Sequence, residues 1–262
     1  MKSIRRTLLI IAVTSVFTVV VLGQQTPSTT STSSSQSAGQ SQDKTASQPA
    51  DQSLPDSPET QAHVSPQPTG PIVVFDTSMG RMTCKLFSKE APQTVANFIG
   101  LAQGTKDWTD PATHQKMHGK GLYDGTTFHR VIPEFMIQGG DPIGNGTGDP
   151  GYFIDDEFDP DLNFDVAGRL AMANSGPNTD GSQFFITVAP YDSGDQHYTI
   201  FGQCDPHSVI VAQSIAEVER DGHDKPLEPV LLNKVTIVRD GQPMPPSPSE
   251  STTSPAATQS NP

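Results

Sequence analysis

Along the middle of the chain, apolar and polar positions alternate with a period of two in a series of short runs, and only two stretches change to helical spacing. Residues 72–76 and 81–87 are the first such runs. Met82, Cys84 and Leu86 fall on one side of the second, and Thr77-Ser78-Met79-Gly80 between them predicts a hairpin. Further strands are predicted at 126–132, 135–139, 170–173, 184–188 and 199–203, with 230–238 as the last. Val95, Phe98, Ile99 and Ala102 share one face of a predicted helix over 91–103, which Pro92 starts and Gly104 stops. Asp205-Pro206 reads as the N-cap and first position of a second helix reaching about Val218. Many short strands with two helices suggest a mainly β fold closed into a barrel.

The ends of the chain carry a different pattern. Lys2, Arg5 and Arg6 precede an apolar run from Leu8 to Leu22, which suits a signal peptide over 1–23 cleaved before Gln24. Left uncleaved, the same run is an N-terminal membrane anchor. Residues 24–70 are mostly Ser, Thr, Gln and Pro, with Leu54 and Val64 the only large aliphatics. Such a segment buries too little apolar surface to offset an ordering cost of about 1–2 kcal/mol per residue, so a disordered tether is expected. Residues 241–262 are a disordered tail of the same kind. One domain remains, over 71–240. This organisation points to export, periplasmic or secreted, with membrane contact only through an uncleaved anchor in the inner membrane.

Charge narrows the partners. The chain holds 16 Lys+Arg against 29 Asp+Glu, a formal net charge of −13. Nucleic-acid binding needs clustered cations to displace counterions from phosphate, and this surface would repel a polyanion. The acidic excess is read as a solubility feature of an exported, monomeric protein. Cys84 and Cys204 form no CxxC pattern, so a metal site through them is not expected. Export permits a disulfide, while the alternation around Cys84 suits a buried free thiol equally well.

Two blocks carry candidate chemistry. Phe128 to Asp141 reads FHRVIPEFMIQGGD, and Leu170 to Phe185 reads LAMANSGPNTDGSQFF. By default Phe135, Met136 and Phe185 would be core residues and Arg130 a surface charge. In this order and with nearly continuous agreement, however, the blocks resemble the cyclophilin family of peptidyl-prolyl cis/trans isomerases. The likeness covers essentially all of 71–240. It implies a closed eight-stranded antiparallel barrel capped by a helix at each end. It also implies that Arg130 is aimed at the prolyl nitrogen and rotating carbonyl, that Gln138 binds substrate and orients the Arg, and that Asn174 with Ala173 binds the peptide backbone. Phe135, Met136 and Phe185 would hold the proline ring, with Gly146 and Gln183 further along the groove. Ser175 stands where the family has Ala. Rotation about an X–Pro bond needs no nucleophile, metal or cofactor, and none is expected; the expected partners are proline-containing segments of exported proteins.

A third block, anchored on Ile200-Phe201-Gly202, departs from the family. Tyr198 falls at the pocket edge where many members have His. The Trp of several members would fall at Ser193, and a wall-closing Leu at Gly194, for which Tyr191 is the candidate substitute. Two rival functions are a peptide-docking groove with little turnover and a holdase working through the tether. The intact Arg130, Gln138 and Asn174 argue against the first.

Other motif-like stretches are read blandly. Gly144-Asn145-Gly146-Thr147-Gly148 lacks the GK[ST] of a phosphate loop, His114 and His118 lack the Glu of HExxH, and Asp155-Asp156-Glu157 reads as a solvated acidic loop rather than a calcium site. Residues 104–121, with the only Trp, Trp108, are by resemblance an insertion beside the groove.

Overall fold

The computed structural model describes residues 65–247. The signal or anchor over 1–23, the tether up to residue 64 and the tail beyond 247 lie outside the described residues. In chain order the elements are β1 (Ile72–Thr77), β2 (Gly80–Leu86), α1 (Pro92–Gln103), β3 (Trp108–Thr109), β4 (Lys116–Met117), β5 (Thr126–Thr127), β6 (Arg130–Ile132) and β7 (Met136–Gly139). After these come β8 (Arg169–Met172), β9 (Phe184–Thr187), β10 (Ile200–Cys204), α2 (Pro206–Ala216) and β11 (Leu231–Val238).

The fold is mainly β: one curled antiparallel sheet of nine strands with two helices. Its order is β5-β11-β1-β2-β10-β8-β9-β7-β6, and β3-β4 form a separate ribbon. The expected count of eight differs for a local reason. The predicted strand 126–132 is divided: its first half pairs with β11 and its second with β7, with Phe128 and His129 between. The two edge strands are thus consecutive in the chain, and no ladder joins them directly.

Alternation sorts side chains to the two faces of this sheet. Val131, Ile137, Phe184, Ile186, Leu170 and Phe201 point inward and join α1 and α2 residues in the main core, where Phe98 contacts Phe75, Tyr123, Phe184 and Phe201. A second cluster, built on Met136, Phe185, Ala171, Ile200 and Phe164, lies on the opposite face.

The helices are fixed at their starts. Asp205 caps α2 by accepting from the Ser208 N–H at 2.8 Å. Ala91 offers α1 no side-chain cap, and Glu157, distant in sequence, accepts from the N–H groups of Gln93 and Thr94 at 3.0 and 2.7 Å. Cys84 and Cys204 are directly opposed on β2 and β10 and form a disulfide across 120 residues of chain, closing the question that the alternation left open. At the margins, Gly70 N–H donates to Leu86 O, and Arg81 donates to the carbonyls of Pro245 and Pro246. The described contacts therefore extend on both sides of 71–240.

Candidate active site

The groove rests on the outer face of the sheet. Arg130 on β6 sits opposite Gln138 on β7, and Gln138 sits opposite Phe185 on β9, so a single row across three strands places a cation, an amide and an aromatic ring side by side. Met136 lies two residues before Gln138 on the same face, with Phe135 entering the strand. These five line a groove of about 800 Å³ together with Gly146, Ala173, Asn174, Gln183 and Tyr198. All ten residues singled out in the sequence are thereby brought to one concavity.

An internal anion shapes one wall. The buried Asp141 carboxylate accepts from the N–H groups of Ile143, Asn145 and Gly146 at 2.7, 2.9 and 2.6 Å. Burial alone would raise its pKa, but these donors, with Gly148, outweigh burial and hold the carboxyl below its ordinary range. A Cβ on Gly148 would collide with that carboxylate, so the glycine is required there. The glycine-rich loop thus turns its amides onto a side chain of the same chain. The loop then presents the carbonyls of Gly146 and Gly148 to Gln183 Nε2 at 3.1 and 2.9 Å, and Gln183 Oε1 accepts from Gln138 Nε2 at 2.9 Å. This chain of amides fixes Gln138 beside Arg130.

Arg130 itself is half-exposed. Its Nε lies 3.8 Å from Asp224 Oδ2, and Asp224 is shared with Arg220 at 3.5 Å. Val131 N–H anchors the turn that holds Asp224 by donating to the Asp224 carbonyl at 2.8 Å. His129 is buried beside the groove, and burial lowers its pKa despite the nearby Asp141, so it is neutral at pH 7.

At the altered third block, Tyr191 packs behind the groove residue Phe135. Its ring centroid lies 4.5 Å from that of Phe135 and 5.9 Å from that of Phe164, and it occupies the space that a side chain at residue 194 would need. Phe164 stacks on Phe185 at 5.7 Å and Tyr198 meets Phe185 edge-on at 5.2 Å, so the apolar pocket has an aromatic backing. Sequence reasoning missed Phe164 and the turn containing Asp221, His223 and Lys225, which lines the groove. A short charged turn far along the chain gives no periodic signal.

Three bland readings acquire specific contacts. His118 pairs with Asp107 at 2.7 Å on the surface, and Glu157 serves as the cap of α1. Trp108 is buried in the main core and donates to Lys120 O at 2.8 Å instead of lining the groove. Among the described residues no cluster of His, Cys, Asp and Glu is arranged to hold a metal ion.

The family model for cyclophilin type peptidyl-prolyl cis-trans isomerase/CLD matches residues 72–237. The chain belongs to the cyclophilin family. Peptidyl-prolyl cis-trans isomerase A of Mycobacterium tuberculosis (strain ATCC 25618 / H37Rv) is 50% identical over 162 residues, spanning 62% of this chain and 88% of the relative. Peptidyl-prolyl cis-trans isomerase B of Streptomyces anulatus is 47% identical over 163 residues, spanning 62% and 93%. Among solved structures, a Cryptosporidium parvum cyclophilin type isomerase is 31% identical with a TM-score of 0.55, covering 64% of this chain and 98% of the other. This cyclophilin is a peptidyl-prolyl cis-trans isomerase.

Proposed function

We propose that this cyclophilin isomerises X–Pro bonds in exported or envelope proteins, using the groove on the outer face of the sheet. Rotation must break amide resonance, a barrier of about 18–20 kcal/mol. Arg130 lowers it by favouring pyramidal electron density at the prolyl nitrogen, while Phe135, Met136 and Phe185 grip the ring in a water-poor pocket. Gln138 orients the cation. The Asn174 side chain is committed to His197 O at 3.0 Å, so its main chain is the part that meets the peptide, together with Ala173. The observation that carries this reading is the register that sets Arg130, Gln138 and Phe185 in one row. A Cryptosporidium parvum homologue, 32% identical, was solved in the presence of the dipeptide Ala-Pro, which supports a proline-containing occupant.

Export rests on the basic and apolar N-terminus and on the Cys84–Cys204 disulfide, a bond that persists in oxidising compartments. The protein is read as bacterial, periplasmic or secreted, and monomeric. Replacing Arg130 by Ala should reduce turnover of a short X–Pro peptide by about 10²-fold or more with thermal unfolding unchanged, the order expected for losing one preorganised electrostatic group. Wild-type turnover in that variant would overturn the assigned mechanism. Fractionation of cells carrying the full chain tests the compartment: retention with cytoplasmic markers would refute export.

A further inference from the structure

The wall of the groove formed by Thr179 and Gly181 has a carboxyl behind it that the mechanism above does not use. Asp180 lies between Thr179 and Gly181, both of which line the groove, yet it is itself 0% exposed. Neither of its carboxylate oxygens closes a hydrogen bond, although the Thr199 hydroxyl and the Asn174 amide approach closely enough to favour its charged form. A fully buried carboxylate without a firm donor is costly, and such groups call for an explanation.

Its surroundings form a seam between two segments. On one side is a strap at 154–157. On the other is the loop 173–180 that carries Ala173 and Asn174. Ile154 N–H donates to Asp180 O at 2.8 Å, and Asp156 and Asn178 clasp each other reciprocally, each backbone N–H donating to the other's side chain at 3.0 and 2.9 Å. Glu157 N–H donates to Thr199 Oγ1 at 3.0 Å while the Glu157 carboxylate caps α1. The seam thus holds Asp156 and Glu157 close to Asp180, and one of the Asp156 oxygens is also buried without a partner.

We propose that Asp180 is a positioning residue for the peptide-binding groove, whose ionisation sets three carboxylates against one another across the seam and loosens the loop that carries Asn174. This rests on the assignment of the groove to the peptide. Burial is the largest cause acting on Asp180; Asp156 and Glu157 push the same way, Thr199 and Asn174 push the other way, and the pKa is raised to about 7. The sign follows directly. Below neutrality Asp180 is neutral and the seam is closed; above it the carboxylate forms, the strap and loop repel, and the peptide is held less well. Arg130 stands on β6 and is untouched, so KM should respond and kcat should not. Coupling is reciprocal, so a one-unit change in this pKa on peptide binding corresponds to about tenfold in affinity.

The decisive measurement is kcat and KM on an X–Pro peptide, taken separately across about two pH units on each side of neutrality, for wild type, Asp180→Asn, Thr199→Val and Arg130→Ala. In wild type KM should rise about tenfold through neutrality at constant kcat. Asp180→Asn should abolish that step, although other titratable groups of this region, His129, His197 and His223, remain. Thr199→Val removes the nearby hydroxyl that favours the charged form and should move the step to higher pH. A step that persists in Asp180→Asn, or one carried by kcat, overturns the proposal. If Asp180→Asn does not fold, the displaced step in Thr199→Val and an NMR titration of the wild-type Asp180 carboxyl decide the matter; a carboxyl that titrates in the ordinary range overturns it. Arg130→Ala separates the two readings, because full activity there refutes the groove assignment itself at every pH.

Discussion

The interior of the curled sheet and the groove on its outer face are built from the same strands, and they differ in what they ask of a side chain. Phe184 and Phe185 are adjacent on β9. Phe184 packs inward against Phe75, Phe98, Tyr123 and Phe128, whereas Phe185 faces the groove with Phe164 behind it and Tyr198 at its edge. The interior is built mainly from apolar and aromatic side chains packed on one another. The groove face mixes rings with Arg130, Gln138 and Gln183, and each polar group depends on a fixed partner. One face stores stability and the other stores geometry.

Substituting the neighbouring phenylalanines would separate those roles most sharply. Phe184→Ala should cost about 3–5 kcal/mol and lower the unfolding midpoint by many degrees, because the cavity it leaves cannot collapse. Phe185→Ala should retain more of the stability and lose peptide binding instead, read as a raised KM. Equal thermal losses with unchanged KM in both would erase the distinction between the faces.

The disulfide tests the interior alone. Cys84 and Cys204 are buried within the main core, and replacing both by Ala should cost about 2–5 kcal/mol while leaving kcat per folded molecule unchanged. Denaturant unfolding gives the first quantity and an active-site titration the second. A loss of kcat would mean that the core transmits its strain to the groove.

Asp141 is the point where the two regions meet, being buried yet responsible for the groove loop. Its folded pKa is depressed, so its contribution is fully present above the unfolded value, about 3.9, and is lost as the pH falls through the folded value. Wild type should therefore lose stability below about pH 4, and Asp141→Asn should be less stable at neutrality with a flatter acid limb. An unchanged acid limb in that variant would remove Asp141 as the organiser of the loop.

The smallest change is expected on the groove rim. By family resemblance, cyclosporin leans on a Trp at the place of Ser193, so this protein should bind the drug about ten- to a thousand-fold more weakly than members that have the Trp, while remaining active. Ser193→Trp should recover part of that affinity. Inhibition of the natural protein at low nanomolar drug would show that Tyr191 or another ring already supplies the contact.

Much of this was legible because it is local or periodic. The period-two runs covered every strand of the main sheet, although 126–132 merged two of them, Asp205-Pro206 and Gly104 marked helix ends, and two contiguous blocks carried eight of the ten groove residues, Gly146 and Tyr198 lying outside them. What only the tertiary structure decided depends on residues far apart in the chain. Nothing in the spacing of Cys84 and Cys204 chose between thiols and a disulfide; the opposition of β2 and β10 did. Trp108 could be placed in a loop, but not in the core, by sequence. Glu157 as the cap of α1, Tyr191 in the space beside Gly194, Asp224 beside Arg130 and the sealed Asp180 each arise where the curled sheet and its loops bring distant segments together. Alternation fixes which face a side chain takes, whereas the partner it meets there is set by how the sheet curls.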